Sequence, residues 1–568
     1  MNHSPVVATT EVRVLDGPNL YFTRPAIKLT LGVQPWLDLS ERRTEELAER
    51  TDFKPAARSG PANSEQRRRF VARLAAHLTR VLAEASHTSL AVRARPGAEA
   101  AEVVVAFPWR RRDIAVAFAE QLAPLMQLAL DARRSIDRAA ERGAAHVGGL
   151  DPGPAPSVVE PTIPVVAVTG TNGKTTTVRL LAHLARIAGR RVAYTSTDGV
   201  YVDNELVEAG DYSGFGGAAK ALSNPSVDFA VLETARGGIL LRGIGTSHND
   251  VAVVTNVTAD HLDQHGIRSL DQLAEVKATI TRITKPDGWD VLNADDPRVL
   301  AMRRLASGRP WVFSLDADHP AIRTTLAEHG RAITVLDRTF TTMTSRRQMH
   351  RLLPVEEVPV TLAGISSHNL HNAMAAAAAA IGSGLPESAV IEGLRSFTLD
   401  PERNPGRANV FAVQDRVVVV DYAHNEAGMR GLVEICHGLR PPGARVFLTF
   451  ASAGDRTNAI IHRLAYTAAR GGDVVAIAEL HRYLRGRDPQ ELLQELQAGV
   501  VDGGKPPAPV FPTEVEALEW MLGQSGPTDV VAITALAQRP EIFAYLRERG
   551  GMPAGPEEIK RLVRRARA

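Results

Sequence analysis

Apolar residues along this chain follow two alternating patterns, and the clearest instance of each lies side by side. Val165-Val166-Ala167-Val168 is a short, β-branched apolar run without a polar position, which predicts a buried strand. Residues 178–188 repeat their apolar positions at helical spacing until Gly189 stops them. Between the two stands Thr169-Gly170-Thr171-Asn172-Gly173-Lys174-Thr175-Thr176. A strand, a glycine turn and a helix in that order aim backbone N–H groups at an anion, and the glycines let the chain come close to it. Val168 takes the place of the first glycine of the strict GxxxxGK[ST] form, so this is a narrower variant of the phosphate loop. Lys174 would reach the terminal phosphates and Thr175 would offer its hydroxyl to Mg²⁺. The stretch predicts a nucleoside triphosphate site.

The same alternation organises the rest. In residues 1–150, strands are predicted at 12–15 and 27–33 around the turn Asp16-Gly17-Pro18-Asn19, with a further strand at 102–107. Amphipathic helices are predicted at 70–84 and 114–130. Residues 151–162, with Asp151-Pro152-Gly153-Pro154-Ala155-Pro156, have the composition of a stiff linker. From 163 to 398, strands at 191–194, 229–232, 250–255 and 289–292 alternate with helices, including 269–283 and the alanine-rich 373–382. Residues 312–361 are β-leaning and predict a small sheet packed on this domain. Residues 399–568 restart the alternation, with strands at 417–420, 445–450, 473–478 and 529–534 before a basic helical tail. The fold class is therefore α/β. An N-terminal mixed α/β domain precedes a central phosphate-loop domain with a doubly wound parallel sheet and a C-terminal Rossmann-like domain. The active site is expected in the cleft between the last two.

In such sheets ligands sit beyond the carboxyl ends of the strands. Glu233 and His261 fall there, and both could approach the Mg²⁺ of the phosphate loop. A carboxylate is a standard ligand for a hard cation, whereas imidazole is less usual. The structural alternative pairs Glu233 with Arg236 and has His261 cap a turn. Similar polar ends, Asp421-Tyr422-Ala423-His424-Asn425 and Ala453-Gly454-Asp455-Arg456, follow strands of the third unit.

Composition narrows the function only by exclusion. With 568 residues the chain has room for three or four domains. A formal charge of +2 calls for neither nucleic acid nor an acidic membrane, and the clusters Arg67-Arg68-Arg69, Arg110-Arg111-Arg112 and 561–567 read as solvated helix faces. The single cysteine, Cys436, excludes an internal disulfide and a cysteine-based zinc site. Met1-Asn2-His3-Ser4-Pro5 lacks the layout of a secretory leader, and no apolar run nears the ~20 residues that span a bilayer, so a cytoplasmic protein is expected.

Taken together, these residues resemble the Mur ligase family, whose members join an amine to a carboxylate with ATP. The matching pieces, in the family's order, are TGTNGKTT (169–176), Glu233, NVTADHLD (256–263), Lys277, NADD (293–296), HNLHNAMAA (368–376), PGR (405–407), DYAHN (421–425) and AGDR (453–456). Within the family, ETARGGIL (233–240), TSTDGVYV (195–202), Leu484-Arg485-Gly486-Arg487 and VLDGPNLY (14–21) are similar to the cyanophycin synthetase branch. That branch carries an ATP-grasp domain between its N-terminal domain and its Mur half; here residues 148–164 stand in that place.

The resemblance implies ATP and Mg²⁺ as cofactors and an acyl phosphate intermediate. It implies that Gly170, Thr171, Asn172, Gly173, Lys174, Thr175 and Thr176 cradle phosphate, that Thr175 and Glu233 hold one Mg²⁺, and that His261 and a carbamylated Lys277 serve a second. Asn369 and Asn372 would contact adenine, and Arg407 and Asp421 the phosphates and ribose. His424, Asp455 and Arg456 would face the acceptor, with Lys174, His261, Lys277 and Arg456 as the catalytic set. The implied substrate is an amino acid or polymer with a free carboxylate, served by a separate ATP-grasp ligase as partner; self-association is compatible with the sequence. The alternatives are a folylpolyglutamate or poly-γ-glutamate type of ligase and a catalytically silent ATP-binding subunit.

Overall fold

The computed structural model describes residues 6–345 and 347–568, so the reading of the first five residues lies outside it. Among the described residues no helix is long and apolar enough to cross a membrane.

Four antiparallel strands, β1 (Ala8–Leu15), β2 (Ala26–Gly32), β3 (Arg93–Pro96) and β4 (Glu102–Pro108), form the first sheet in the order β1-β2-β4-β3. Ile27, Leu29 and Leu31 alternate along β2 and face Phe70, Leu74 and Leu78 of the helix Glu65–Ala85 in one core. The opposite face, with Ala26, Val104 and Ala106, shares a second core with Ile239, Ile244 and Val276 of the central unit. The predicted 114–130 helix is two helices, Arg112–Glu120 and Leu122–Leu128. Pro124 offers no N–H to the carbonyl of residue 120, which ends the first of them. Arg67, expected on a solvated face, is instead fully buried. Its guanidinium donates to the carbonyls of Trp36, Leu37, Leu39, Ser59 and Gly60.

The central sheet has eleven strands: β5 (Val165–Thr169), β6 (Val192–Thr195), β7 (Gly199–Val202), β8 (Glu205–Ala209), β9 (Phe229–Glu233), β10 (Asn249–Val254), β11 (Thr284–Asn293), β12 (Arg309–Ser314), β13 (Arg331–Leu336), β14 (Thr339–Ser345) and β15 (Gln348–Pro354). They run in the order β15-β14-β13-β12-β11-β10-β5-β9-β6-β7-β8. The seven from β13 to β6 are parallel, and an antiparallel pair extends each edge. The strands at 312–361 are thus the continuation of the main sheet and not a separate small one: β12 and β13 pair with it in parallel, and β14 and β15 extend it as an antiparallel edge. Strand β5 lies between β10 and β9, so the phosphate loop opens at a switch point of the sheet. The predicted 269–283 helix stops at Lys277, where the β-branched Thr279, Ile280 and Thr281 resist helix, and a single 3₁₀ turn, Thr281–Ile283, follows.

The third sheet comprises β16 (Asn409–Val413), β17 (Arg416–Asp421), β18 (Val446–Phe450), β19 (Val474–Ala478), β20 (Val510–Phe511), β21 (Val530–Thr534) and β22 (Met552–Pro553), in the order β20-β19-β18-β21-β17-β16-β22. Strands β17 to β20 are parallel through β21, while β16 and β22 are antiparallel. The basic tail is the helix Pro556–Arg567, which buries Ile559 and Val563 against the helix Glu426–Leu439 and leaves its arginines outside.

Candidate active site

After β5 the chain turns through Gly170 (φ +155°) and Gly173 (φ +86°) into the helix Lys174–Ile187. A Cβ on Gly173 would sit 2.2 Å from Asn372 Oδ1, so only glycine permits this approach between the phosphate loop and the helix Ser367–Gly382. Lys174 Nζ donates to the carbonyl of Thr171 at 3.0 Å. The Thr175 hydroxyl donates to Glu233 Oε2 at 2.9 Å, while Glu233 Oε1 is buried and has no partner among the described residues. Burial pushes the Glu233 carboxyl up from its ordinary range, with Lys174 opposing. A hydroxyl and a half-paired carboxylate, both hard oxygen donors at the mouth of a phosphate loop, fit Mg²⁺.

Glu233 therefore does not pair with Arg236. Arg236 donates to the carbonyl of His261 at 2.5 Å and to Gln264 Oε1 at 2.9 Å. His261 holds a left-handed backbone (φ +50°), and its ring lies 3.7 Å from Asp260 Oδ2 and 3.6 Å from Asp455 Oδ2. Lys277 is buried, and its Nζ donates to the carbonyl of Gly170 at 2.6 Å. Burial, aided by Lys174, pulls its ammonium well below the usual range beneath the loop.

The C-terminal unit closes the other side of a cleft of about 580 Å³. Arg407 stacks over the ring of Tyr422 at 4.2 Å, and Asp421 accepts from the backbone of Ala408 at 2.7 Å. Burial pushes Asp421 up while Arg407 opposes it. On the central side, Asn372 Nδ2 donates to Asn369 Oδ1 at 3.0 Å, and both asparagines line the cleft. His424 contacts Asp260 Oδ2 at 3.2 Å across the cleft. Arg456 reaches Asp455 at 2.7 Å and Asp260 at 3.4 Å. Burial alone would raise Asp260, but His424, His261 and Arg456 hold its carboxyl far below the ordinary range.

All of the sequence-predicted residues except Asp455 line this one cleft. Asp455 sits at its rim, accepting from Arg456, Gln264 and Arg485. Sequence reasoning did not assign roles to Asp260, Gln264, Asn425 and His368. Asp260, Asn425 and His368 lie within the family's motifs, and Asn425 exchanges two amide hydrogen bonds with Asn172, at 3.0 and 3.2 Å. His368 is pushed to about 4 by burial, and its ring is pressed so close to Gly431 that a Cβ there would lie 2.1 Å from Nδ1.

A phosphate loop on one parallel α/β unit, facing a second α/β unit across a cleft, is the layout of a nucleotide-site protein whose site both units complete. Residues 168–380 match the Mur ligase middle domain and residues 406–536 the Mur ligase glutamate ligase domain, together more than half of the chain. The protein belongs to the Mur ligase family. A cyanophycin synthetase of Synechocystis is 39% identical over 349 residues, which is 61% of this chain and 39% of that protein. A UDP-N-acetylmuramoyl-L-alanyl-D-glutamate–2,6-diaminopimelate ligase of Geobacillus kaustophilus is 26% identical over 382 residues, 65% of this chain and 73% of that one. The chain thus spans about two fifths of the length of the cyanophycin synthetases it matches. Among solved structures, a bifunctional folylpolyglutamate synthase/dihydrofolate synthase shares the fold, with a TM-score of 0.50, 20% identity, and coverage of 68% of this chain and 89% of that one.

Proposed function

We propose that the protein is an ADP-forming carboxylate–amine ligase, of the cyanophycin synthetase kind in its ligase half. The observation that carries this reading is the convergence of Lys174, the Thr175–Glu233 pair, Arg407 and Asp421 on one cleft, from two different units. A carboxylate oxygen of the substrate attacks the γ-phosphorus of ATP, and the bond to the β–γ bridging oxygen breaks, giving acyl phosphate and ADP. The amine nitrogen then attacks the acyl carbon, loses a proton, and the tetrahedral intermediate expels phosphate to leave an amide. Such transfer needs positioning and charge neutralisation more than covalent help from the protein. Lys174 and Arg407 supply positive charge from opposite walls. Mg²⁺, held by Thr175 and Glu233, would neutralise phosphate charge as a Lewis acid. Asn369 and Asn372 offer amides to the base, while His424, Asp455 and Arg456 stand at the acceptor end.

The buried Lys277, whose ammonium is disfavoured by burial, is suited to carbamylation: its amine would add to CO₂ with loss of a proton, and the carbamate would offer oxygen donors to a second Mg²⁺ beside His261. Because no ATP-grasp unit interrupts residues 148–164, backbone extension would fall to a separate ligase.

Amine-dependent release of ADP and phosphate tests the reading, with arginine, lysine and glutamate offered against β-aspartyl and γ-glutamyl peptides. Arginine or lysine working with the aspartyl acceptor supports it. Glutamate working with a γ-glutamyl acceptor replaces it by a folylpolyglutamate-like ligase. ATP binding without turnover on any pair favours the silent subunit.

A further inference from the structure

Residues 261–266 form a loop with an uncommon backbone: His261, Asp263 and His265 all have φ between +50° and +64°, and Gly266 follows at +78°. Three non-glycine residues in the left-handed region within five positions store strain that the surroundings must hold. Two groups hold it. Arg236, at the start of the short helix Arg236–Leu241 that follows the Glu233 strand, donates to the carbonyl of His261 and to Gln264 Oε1. The other end of the same amide, Gln264 Nε2, donates to the backbone carbonyl of Asp455 at 2.8 Å and to its carboxylate at 3.0 Å, across the cleft. Glutamine suits this place chemically: its oxygen meets a cation and its N–H₂ an anion, and reversing the amide would set both ends against their partners. Arg236 is occupied by these two bonds, and Asp455 already pairs with Arg456 and Arg485, so the chain Arg236–Gln264–Asp455 joins two charged anchors through one neutral link.

We propose that Gln264 is a closure latch for the cleft and a positioning residue for His261, with Arg236 as its fixed end. When the C-terminal unit seats, the carbonyl and carboxylate of Asp455 take the amide N–H₂. That bond holds the strained loop in place and sets the His261 ring at the cleft wall. When the unit leaves, the loop loses its outer anchor, so closure and placement of His261 are one event. Within the reaction proposed above, the latch would make turnover conditional on closure; the latch itself rests on the contacts of Gln264 with Arg236 in its own unit and with Asp455 across the cleft.

The test uses the full chain, with Ala327→Cys and Gln494→Cys, both exposed, carrying spin labels on the central and C-terminal units while the buried Cys436 stays unlabelled. Distances are measured by pulsed electron resonance with a non-hydrolysable ATP analogue and Mg²⁺. The original protein should give one short, narrow distribution. Gln264→Met, which keeps the volume and removes both bonds, should populate a longer distance and reduce the closed fraction relative to the open one about tenfold. Gln264→Glu, which keeps Arg236 and repels Asp455, should open it at least as far. Arg236→Met, which removes the fixed end and leaves both bonds from Gln264 to Asp455, should open the cleft less than Gln264→Met. An unchanged distribution in Gln264→Met, or wider opening in Arg236→Met than in Gln264→Met, would overturn the proposal. The distance readout needs no turnover, so it stands or falls separately from the ligase reading. Where activity is present, the same variants should lower kcat more than they raise KM for ATP, and Gln264→Asn should not restore it.

Discussion

Replacing Glu233 by glutamine should make the ligand-free protein more stable while removing its response to Mg–ATP. The carboxylate is buried at the end of β9, with one oxygen accepting from Thr175 at 2.9 Å and the other without a partner among the described residues. A buried polar atom without a partner costs about 1–3 kcal/mol, more when charged. Glutamine keeps the shape and the bond from Thr175 and removes the charge, yet its N–H₂ also wants a partner, so the net gain should be about 1 kcal/mol. For a unit of this size that raises Tm by about 2–4 °C. The sign with pH follows from burial: the folded carboxyl titrates above the ordinary glutamate range, so its ionisation costs stability as pH rises through that window. The Glu233→Gln protein should lose that slope. Mg–ATP at a hundred times its Kd would add about 2.7 kcal/mol to the original protein by mass action. The variant should show a much smaller shift and a turnover at least about a hundredfold lower. Differential scanning fluorimetry at pH 7.5, with and without Mg–ATP, reads both quantities. A variant that melts below the original protein without ligand, or that keeps the full Mg–ATP shift, would refute the reasoning.

Lys174→Ala should abolish ADP release while leaving the melting temperature of the free protein within about 2 °C, since Nζ makes a single bond to the carbonyl of its own loop. Depleting CO₂ should lower the activity of the original protein and bicarbonate should restore it, whereas Lys277→Met should be insensitive to both in the same assay. Arg67→Met should destabilise the first unit by about 3 kcal/mol or more, visible in urea denaturation, because five carbonyls, four of them buried, lose their donor. Asp290 on β11 is pushed up to about 7 by burial, against the bonds it accepts from Thr284 and Gly308. Its folded pKa lies above the unfolded one, so the stability it contributes is complete below about pH 4 and is lost as pH rises to about 7. The urea midpoint of Asp290→Asn should vary less over that range.

Much of this molecule can be read locally, and the reasons it can are specific. The phosphate loop is legible because its strand, turn and helix are contiguous: Val165 to Thr176 carry period, glycine and lysine in one stretch. Glu233, Lys277, Arg407 and Asp421 become legible once the family pattern orders them, although a lysine on a helix gives no local sign that it will be buried under a glycine carbonyl. Arg67 misled for the same reason. Its neighbours Arg68 and Arg69 share its composition, but only Arg67 falls on the inner face of the helix, where carbonyls of the 36–39 and 59–60 segments converge. The strands at 331–354 were legible as strands and misplaced as a sheet, because period 2 reports which faces are buried and not which neighbour covers an edge. Asp260 and Gln264 lie furthest from what one sequence can disclose. Each acquires its partner 164 to 191 positions away, on a different unit. A buried carboxylate that binds His424, Asn425 and Arg456 leaves no periodicity behind, and neither does an amide that bridges Arg236 and Asp455. Both residues act on the relation between units, so the chemistry of the cleft depends on contacts that exist only once the units have met.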